Sequence, residues 1–276
     1  MAYSGCKTQT HVGIDMQHAV ATITLARPDK KNAISRQMLT GIRDFLKASS
    51  NDPLIRALVV RGHGGFFSSG ADLEWMKEGK SQSVQHNMAD AGLFFDTYNA
   101  LNSYPKPVVA VVEKGAFGGA VGLVACADVA IATHDTLFAL PEVRLGLIPA
   151  TIAPFVSNKL GHSATRRFML TGEIFSASEA QRLGLVHEVV ENGKQDEHLQ
   201  ILVNKLMQNG PEAMASTKYL VNLLAEKQTD KSELTDFVTR LIASARASDE
   251  GQEGVQAFFD RRETNWQNAS NPTNDQ

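Results

Sequence analysis

Residues 115 to 128, GAFGGAVGLVACAD, place glycines at 115, 118, 119 and 122 inside a run that is otherwise apolar. Directly upstream, PVVAVV has the continuous β-branched character of a strand buried on both faces. A buried strand that breaks into closely spaced glycines and resumes as an apolar helix brings backbone unusually close to something else. Three readings satisfy that constraint: a phosphate cradle, a site for an oxyanion, or tight packing of a helix on a strand. For Gly118, Gly119 or Gly122 taken singly, packing is the simplest reading.

The same strand, loop and helix step occurs earlier. ALVVRG reads as a buried strand, GHGGFFSSGAD as a glycine-rich loop, and residues 81 to 103 as a long helix ending before Pro105. HVGIDM and VATITL open the chain as two short strands joined at Gln17 and His18, and SRQMLTGIRDFLKAS has helical spacing with Ser35 as its N-cap. DVAIAT and TLFAL continue the alternation, which predicts an α/β fold. After GLVHEVV the strand signal ends. Residues 196 to 268 read as helices, one opened by Pro211 and another by Asp230 and Glu233 in capping-box spacing. Such helices must cover the first 195 residues or a neighbouring subunit. The expected organisation is a core over 1–195, a helical region over 196–268 and an unstructured polar tail over 269–276.

Composition removes several functional classes. A chain of 276 residues with 43% hydrophobic content supports one large core, and a net charge of −3 without blocks of like charge offers no nucleic-acid surface. Two cysteines, Cys6 and Cys126, provide neither a disulfide framework nor a zinc cluster, and fit a reducing compartment. MAYSGCKTQT lacks the parts of a signal peptide, and no apolar run reaches the roughly 20 residues of a membrane span. A cytoplasmic protein without a membrane partner is expected.

Common catalytic signatures are also missing. There is no Gly-x-x-x-x-Gly-Lys-Ser/Thr loop, no His-Glu-x-x-His and no Gly-x-Ser-x-Gly. From Gly115 the spacing is Gly-x-x-Gly-Gly-x-x-Gly, which is not the dinucleotide fingerprint. His134, His162 and His187 fall near element ends, where capping or surface roles are expected, and no metal site is expected. What remains is a pair of glycine-rich loops, FFSSGADL and KGAFGGAVGL, each between a buried strand and a helix. Both can aim backbone N–H groups at one point, and two such donors make an oxyanion hole without any particular side chain.

SSGADL, KPVVAVVEKGAFGGAVGL, CADVAIA and FALPEVRLGLIP, in this order and spacing, resemble the crotonase (enoyl-CoA hydratase/isomerase) superfamily over about residues 12 to 265. The resemblance implies a spiral of ββα units followed by a helical trimerisation region, hence a homotrimer or homohexamer. It implies an acyl-CoA substrate and no cofactor, since coenzyme A is part of the thioester. By position, the two oxyanion donors fall on the amides of Ser69 and Gly119, with Gly70, Ala71, Asp72, Leu73 and Gly118 completing the thioester and coenzyme site. Arg27, Lys30 and Lys31 in ARPDKKNAI fall near the CoA moiety. Phe258, Phe259, Arg261 and Arg262 of FFDRRE could reach a neighbour's adenine or phosphates, whereas Arg144 reads as half of a structural ion pair.

Of the two glutamates common in the family's hydratases, one falls on Glu142, where Leu140 and Val143 provide an apolar setting that raises a carboxyl pKa. The other falls on Gly122. A single carboxylate suits a Δ3-Δ2-enoyl-CoA isomerase, whereas hydration requires Glu142 to serve both carbons through one water. A non-catalytic acyl-CoA-binding subunit is the third alternative. SSGADLEWM, FGGAVGLVACAD and EVRLGLIPATIAPFV resemble bacterial methylglutaconyl-CoA and carboxygeranoyl-CoA hydratases, so the expected substrate is 3-methylglutaconyl-CoA or a related branched carboxy-acyl-CoA. On that reading Gly122 vacates volume and a negative charge for the substrate's own carboxylate.

Overall fold

The computed structural model describes residues 11–226 and 231–268. It opens with the expected hairpin, β1 (Val12–Gln17) and β2 (Val20–Leu25), in which His18 and Ala19 both take positive φ, 46° and 63°. Two consecutive residues of that kind match the right-handed twist of the paired strands. Helix α1 (Arg36–Ser49) follows, and the Ser35 side chain accepts from the Met38 amide as its N-cap.

Strand β3 (Ala57–Gly62) leads through the glycine-rich loop to a short helix, α2 (Leu73–Glu78), and then to α3 (Val84–Asn102), capped by Ser83. The long helix therefore starts later than residue 81, and α2 lies between the expected loop and that helix. β4 (Val108–Val112) precedes the glycine run, which is not loop throughout. Gly115–Phe117 form β5, paired in parallel with β7 (Leu137–Ala139), and only then does α4 (Gly119–Ala125) begin. β6 (Val129–Thr133) lies between α4 and β7.

The remaining elements are α5 (Ala153–Thr171), β8 (Ile174–Ser176), α6 (Ala177–Arg182), β9 (Glu188–Val190) and helices α7 (Gln195–Met207), α8 (Pro211–Glu226), α9 (Lys231–Ala247), α10 (Asp249–Asp260) and α11 (Asn265–Asn268). Pro211 opens α8 as expected. Asp230 of the expected capping box, Cys6 and the tail over 269–276 lie outside the described residues.

Six strands form one sheet in the order β1-β2-β3-β4-β6-β9, antiparallel only between β1 and β2. β5, β7 and β8 form a second, smaller sheet. The continuous apolar runs follow from burial of the large sheet on both faces. Leu58, Val60, Val108, Ala110 and Val112 join the main core with Ile42, Leu101 and Val124. Their neighbours Val59, Val109 and Val111 face Leu199, Leu202 and Leu206 of α7 on the other side. Each aliphatic side chain buried this way contributes roughly 1.5–3 kcal/mol.

The helical region is thus not a separate body: α7 covers the core sheet. Farther along, Ile242, Val255, Phe258 and Phe259 remain exposed. No described helix is long and apolar enough to cross a membrane.

Candidate active site

The segment from Phe67 to Asp72 threads between two backbones. Ser68 bridges Ala116 of β5 on one side, and Ala71 bridges Ile34 on the other. Its amides are consumed one after another: Phe67 donates to the Glu113 carbonyl, Ser68 to Gly115, Ser69 to Lys31, Gly70 to the Ser68 hydroxyl and Asp72 to Ile34. In the Ala71–Ile34 bridge the bonds run through Gly70 and Asp72, so the Ala71 amide points away from Ile34 and has no acceptor among the described residues. Across the cleft, Phe117 donates to Ser68 and Gly118 to Ala139, while the Gly119 amide, first in α4, likewise has no acceptor among the described residues. Both residues are half-buried, and their two free N–H groups belong to the lining of one cleft.

This pattern corrects one expected donor. The Ser69 amide is spent on the Lys31 carbonyl at 2.9 Å, and the free partner of Gly119 is Ala71. Glycine brings the loops together: a side chain on Gly70, where φ is +91°, would stand 2.5 Å from the Phe117 carbonyl oxygen.

Ala71, Gly119 and Glu142 line one cleft of about 500 Å³, together with Gly70, Gly118 and Lys30. Glu142 begins a single helical turn, Glu142–Leu145, immediately after β7 and the buried Leu140. Its Oε1 lies against Gly118, and its Oε2 is buried without a hydrogen-bond partner among the described residues. Burial holds its carboxyl above the ordinary glutamate value, with its own backbone amide drawing it partly back. Two other carboxylates line the cleft, and both are engaged. Asp72 caps α2 through the Glu74 amide and pairs with Arg27 at 2.6 Å, and Glu74 pairs with Lys30 at 3.2 Å.

The basic residues expected near CoA divide. Lys30 lines the cleft. Arg27 is not among the residues lining the cleft; its guanidinium bonds to Asp72 and the Ala33 carbonyl, tying the loop after β2 to the start of α2. Lys31 places its ammonium 5.7 Å from the centre of the Phe66 ring. Arg262 is bonded to Glu253 at 2.8 Å, and Arg261 caps the end of α10 with φ +56°. Arg144 makes no ion pair among the described residues; its side chain packs over Gly172 instead. His187 accepts from the Ala130 amide through Nδ1, a structural role.

Gly122 also departs from expectation. It leaves no room: a methyl group there would stand 2.3 Å from Ile152 Cγ2 and 3.2 Å from the Tyr98 ring. The position of the absent second glutamate is filled by Ile152 and Tyr98, so it offers no space to a substrate carboxylate.

Two contributors were missed in the sequence. Asn32, buried with φ +53°, donates to the carbonyls of His63 and Phe66 and accepts from the Arg27 amide, joining the two loops. Its signal is an asparagine inside the basic run ARPDKKNAI. Tyr98 sits behind Gly119, and its signal was its place in the Phe94, Tyr98, Leu101 stripe of α3.

Two free backbone donors and a pKa-raised carboxyl with one oxygen unpaired line a single cleft, on a parallel sheet extended by helices, and such a set of groups is chemically able to hold an enolate beside a general base. Residues 15–269 match the family model described as enoyl-CoA hydratase/isomerase, and the chain belongs to that family. An enoyl-CoA hydratase from Shewanella pealeana ATCC 700345 is 37% identical with a TM-score of 0.89, covering 94% of this chain and 97% of that one. AtuE of Pseudomonas aeruginosa is 36% identical with a TM-score of 0.89, covering 93% and 99%. The 2,3-dehydroadipyl-CoA hydratase of Escherichia coli K12 is 28% identical over 250 residues, 90% of this chain and 95% of the relative.

Proposed function

We propose that this chain adds water across the 2,3 double bond of an enoyl-CoA thioester. The observation that carries this reading is the meeting of the free Ala71 and Gly119 amides with the unpaired Glu142 carboxyl in one cleft. The thioester oxygen would accept from both amides, which stabilises the enolate formed as water attacks the β-carbon. Glu142 takes the proton from that water and returns one to the α-carbon, so a single carboxylate serves both ends. Coenzyme A arrives as part of the substrate, and no resident cofactor is required.

The single carboxylate also favours a second reading, migration of a double bond by Glu142 alone. A 3-enoyl-CoA assayed beside a 2-enoyl-CoA separates the two. Faster migration than hydration would put the isomerase first.

The finer reading is a branched carboxy-acyl group such as 3-methylglutaconyl. Its support is the subgroup likeness of the motifs, while the relative named for a dehydroadipyl substrate, whose chain is unbranched, supports the carboxyl alone, and Gly122 offers no space. A panel of crotonyl-, 3-methylglutaconyl- and longer 2-enoyl-CoA esters tests it, and preference for the neutral esters would overturn it. Assembly belongs to the same proposal: exposed Ile242, Val255, Phe258 and Phe259 on α9 and α10 support a homotrimer or homohexamer. Light scattering that gives a monomer at micromolar concentration would contradict it.

A further inference from the structure

Tyr98 is buried on α3, and its hydroxyl donates to the carbonyl oxygen of Gly119 at 2.9 Å. That carbonyl belongs to the same residue whose amide faces the cleft. Gly119 follows another glycine, and two glycines in succession have no side chains to restrain their peptides. The peptide between them is held from one side by the Val121 amide, which donates to the Gly118 carbonyl at 2.9 Å. The next peptide is held by the phenol. The Tyr98 ring is itself fixed, tilted against Phe94 and Phe155 at centroid distances of 6.1 and 6.2 Å, with its edge close to Gly122.

We propose that Tyr98 is a positioning residue for the reaction: its hydrogen bond to the Gly119 carbonyl locks the first residue of α4 so that the Gly119 amide stays aimed at the thioester oxygen. This rests on the hydratase reading above. The phenol is fully buried and acts through Gly119. A locked donor matters most when charge develops on the oxygen, because a donor that swings toward the oxygen only then must reorganise during the reaction. Loss of the lock therefore lowers turnover and polarisation of the bound thioester, and leaves affinity nearly alone.

The test is Tyr98→Phe, which keeps the ring and removes one hydroxyl. Turnover should fall about tenfold with KM within about twofold, the scale of one buried hydrogen bond acting in the transition state. The spectroscopic readout is a chromophoric aryl-acryloyl-CoA, whose absorption moves to the red when its carbonyl is polarised. The wild type should show the shift and Tyr98→Phe should lose most of it. Ile152→Val loosens the same face of α4 without touching the hydrogen bond, so it should lower Tm while keeping the red shift. An undiminished red shift and turnover in Tyr98→Phe overturns the proposal, and so does an equal loss in Ile152→Val, which would assign the effect to packing. If the wild type neither shifts the chromophore nor turns over any enoyl-CoA, the hydratase reading falls and takes this proposal with it.

Discussion

A methyl group on Gly118 would stand 2.9 Å from Oε1 of Glu142, so the cleft carboxyl rests against the α-carbon of the residue that precedes the Gly119 amide. Glu142 thus packs on the residue next to the free Gly119 amide. Gly118 has φ +52° and ψ −122°, a conformation that side chains disfavour. Gly118→Ala should strain that turn by roughly 1–3 kcal/mol and displace Glu142. Turnover is expected to fall about a hundredfold or more, as for a misplaced acid/base group, in a protein that still folds by circular dichroism.

Glu142→Gln should bind CoA esters nearly normally and lose at least about a hundredfold in turnover. In the wild type the acid limb of kcat/KM should lie above the ordinary glutamate range, because burial favours the neutral carboxyl. The stability effect has the opposite sense to that of a salt-bridged acid. A raised native pKa means that the folded state binds more protons, so stability is lost as pH rises through that value. Glu142→Gln should consequently melt higher than wild type near pH 8, with the difference shrinking toward acid; an unchanged or lower melting temperature near pH 8 would contradict the assignment.

Amide resonances distinguish the two possible donors beside Gly119. On titration with a saturated acyl-CoA, the Ala71 and Gly119 amide protons should move downfield as they gain an acceptor. The Ser69 amide, already bonded to Lys31, should move little. A large Ser69 shift with a static Ala71 would restore the first expectation.

Gly122 tolerates no enlargement. With Ile152 Cγ2 2.3 Å from the position of a new Cβ, Gly122→Ala should lower stability by roughly 1–3 kcal/mol through overpacking. Gly122→Glu should be worse, and should weaken activity on linear and branched carboxy-acyl substrates alike. Better crotonyl-CoA turnover in Gly122→Glu would show that the helix yields.

Arg27→Ala leaves the Asp72 carboxylate with only its bond from the Glu74 amide, which should cost roughly 1–3 kcal/mol at pH 7. Burial alone would push Asp72 up, but its bonds from Arg27 and the Glu74 amide hold it below the ordinary aspartate value. A lowered native pKa confers stability above the unfolded value and loses it as pH falls through the native one. The gap between variant and wild type should thus narrow toward acid, first as the variant's Asp72 carboxyl takes up a proton. Denaturant midpoints at several pH values measure it.

The sequence by itself determined much of the frame. The resemblance of the ordered glycine and PE motifs implied Glu142 beside an oxyanion loop, while the runs ALVVRG and PVVAVV demanded strands buried on both faces and Ser35 and Pro211 marked helix starts. These are local signals, because periodicity, capping and turn chemistry act within a few residues. Only the tertiary structure decided which amide was free, since that depended on Lys31 meeting Ser69 and Ile34 bridging Ala71. It also decided that Arg27 pairs with Asp72, and that Gly122 is walled in by Ile152 instead of opening a pocket. Whether a hydrogen-bonding group is already satisfied, and whether a space is already filled, are relations among residues far apart in the chain, and these are made only when the chain is packed.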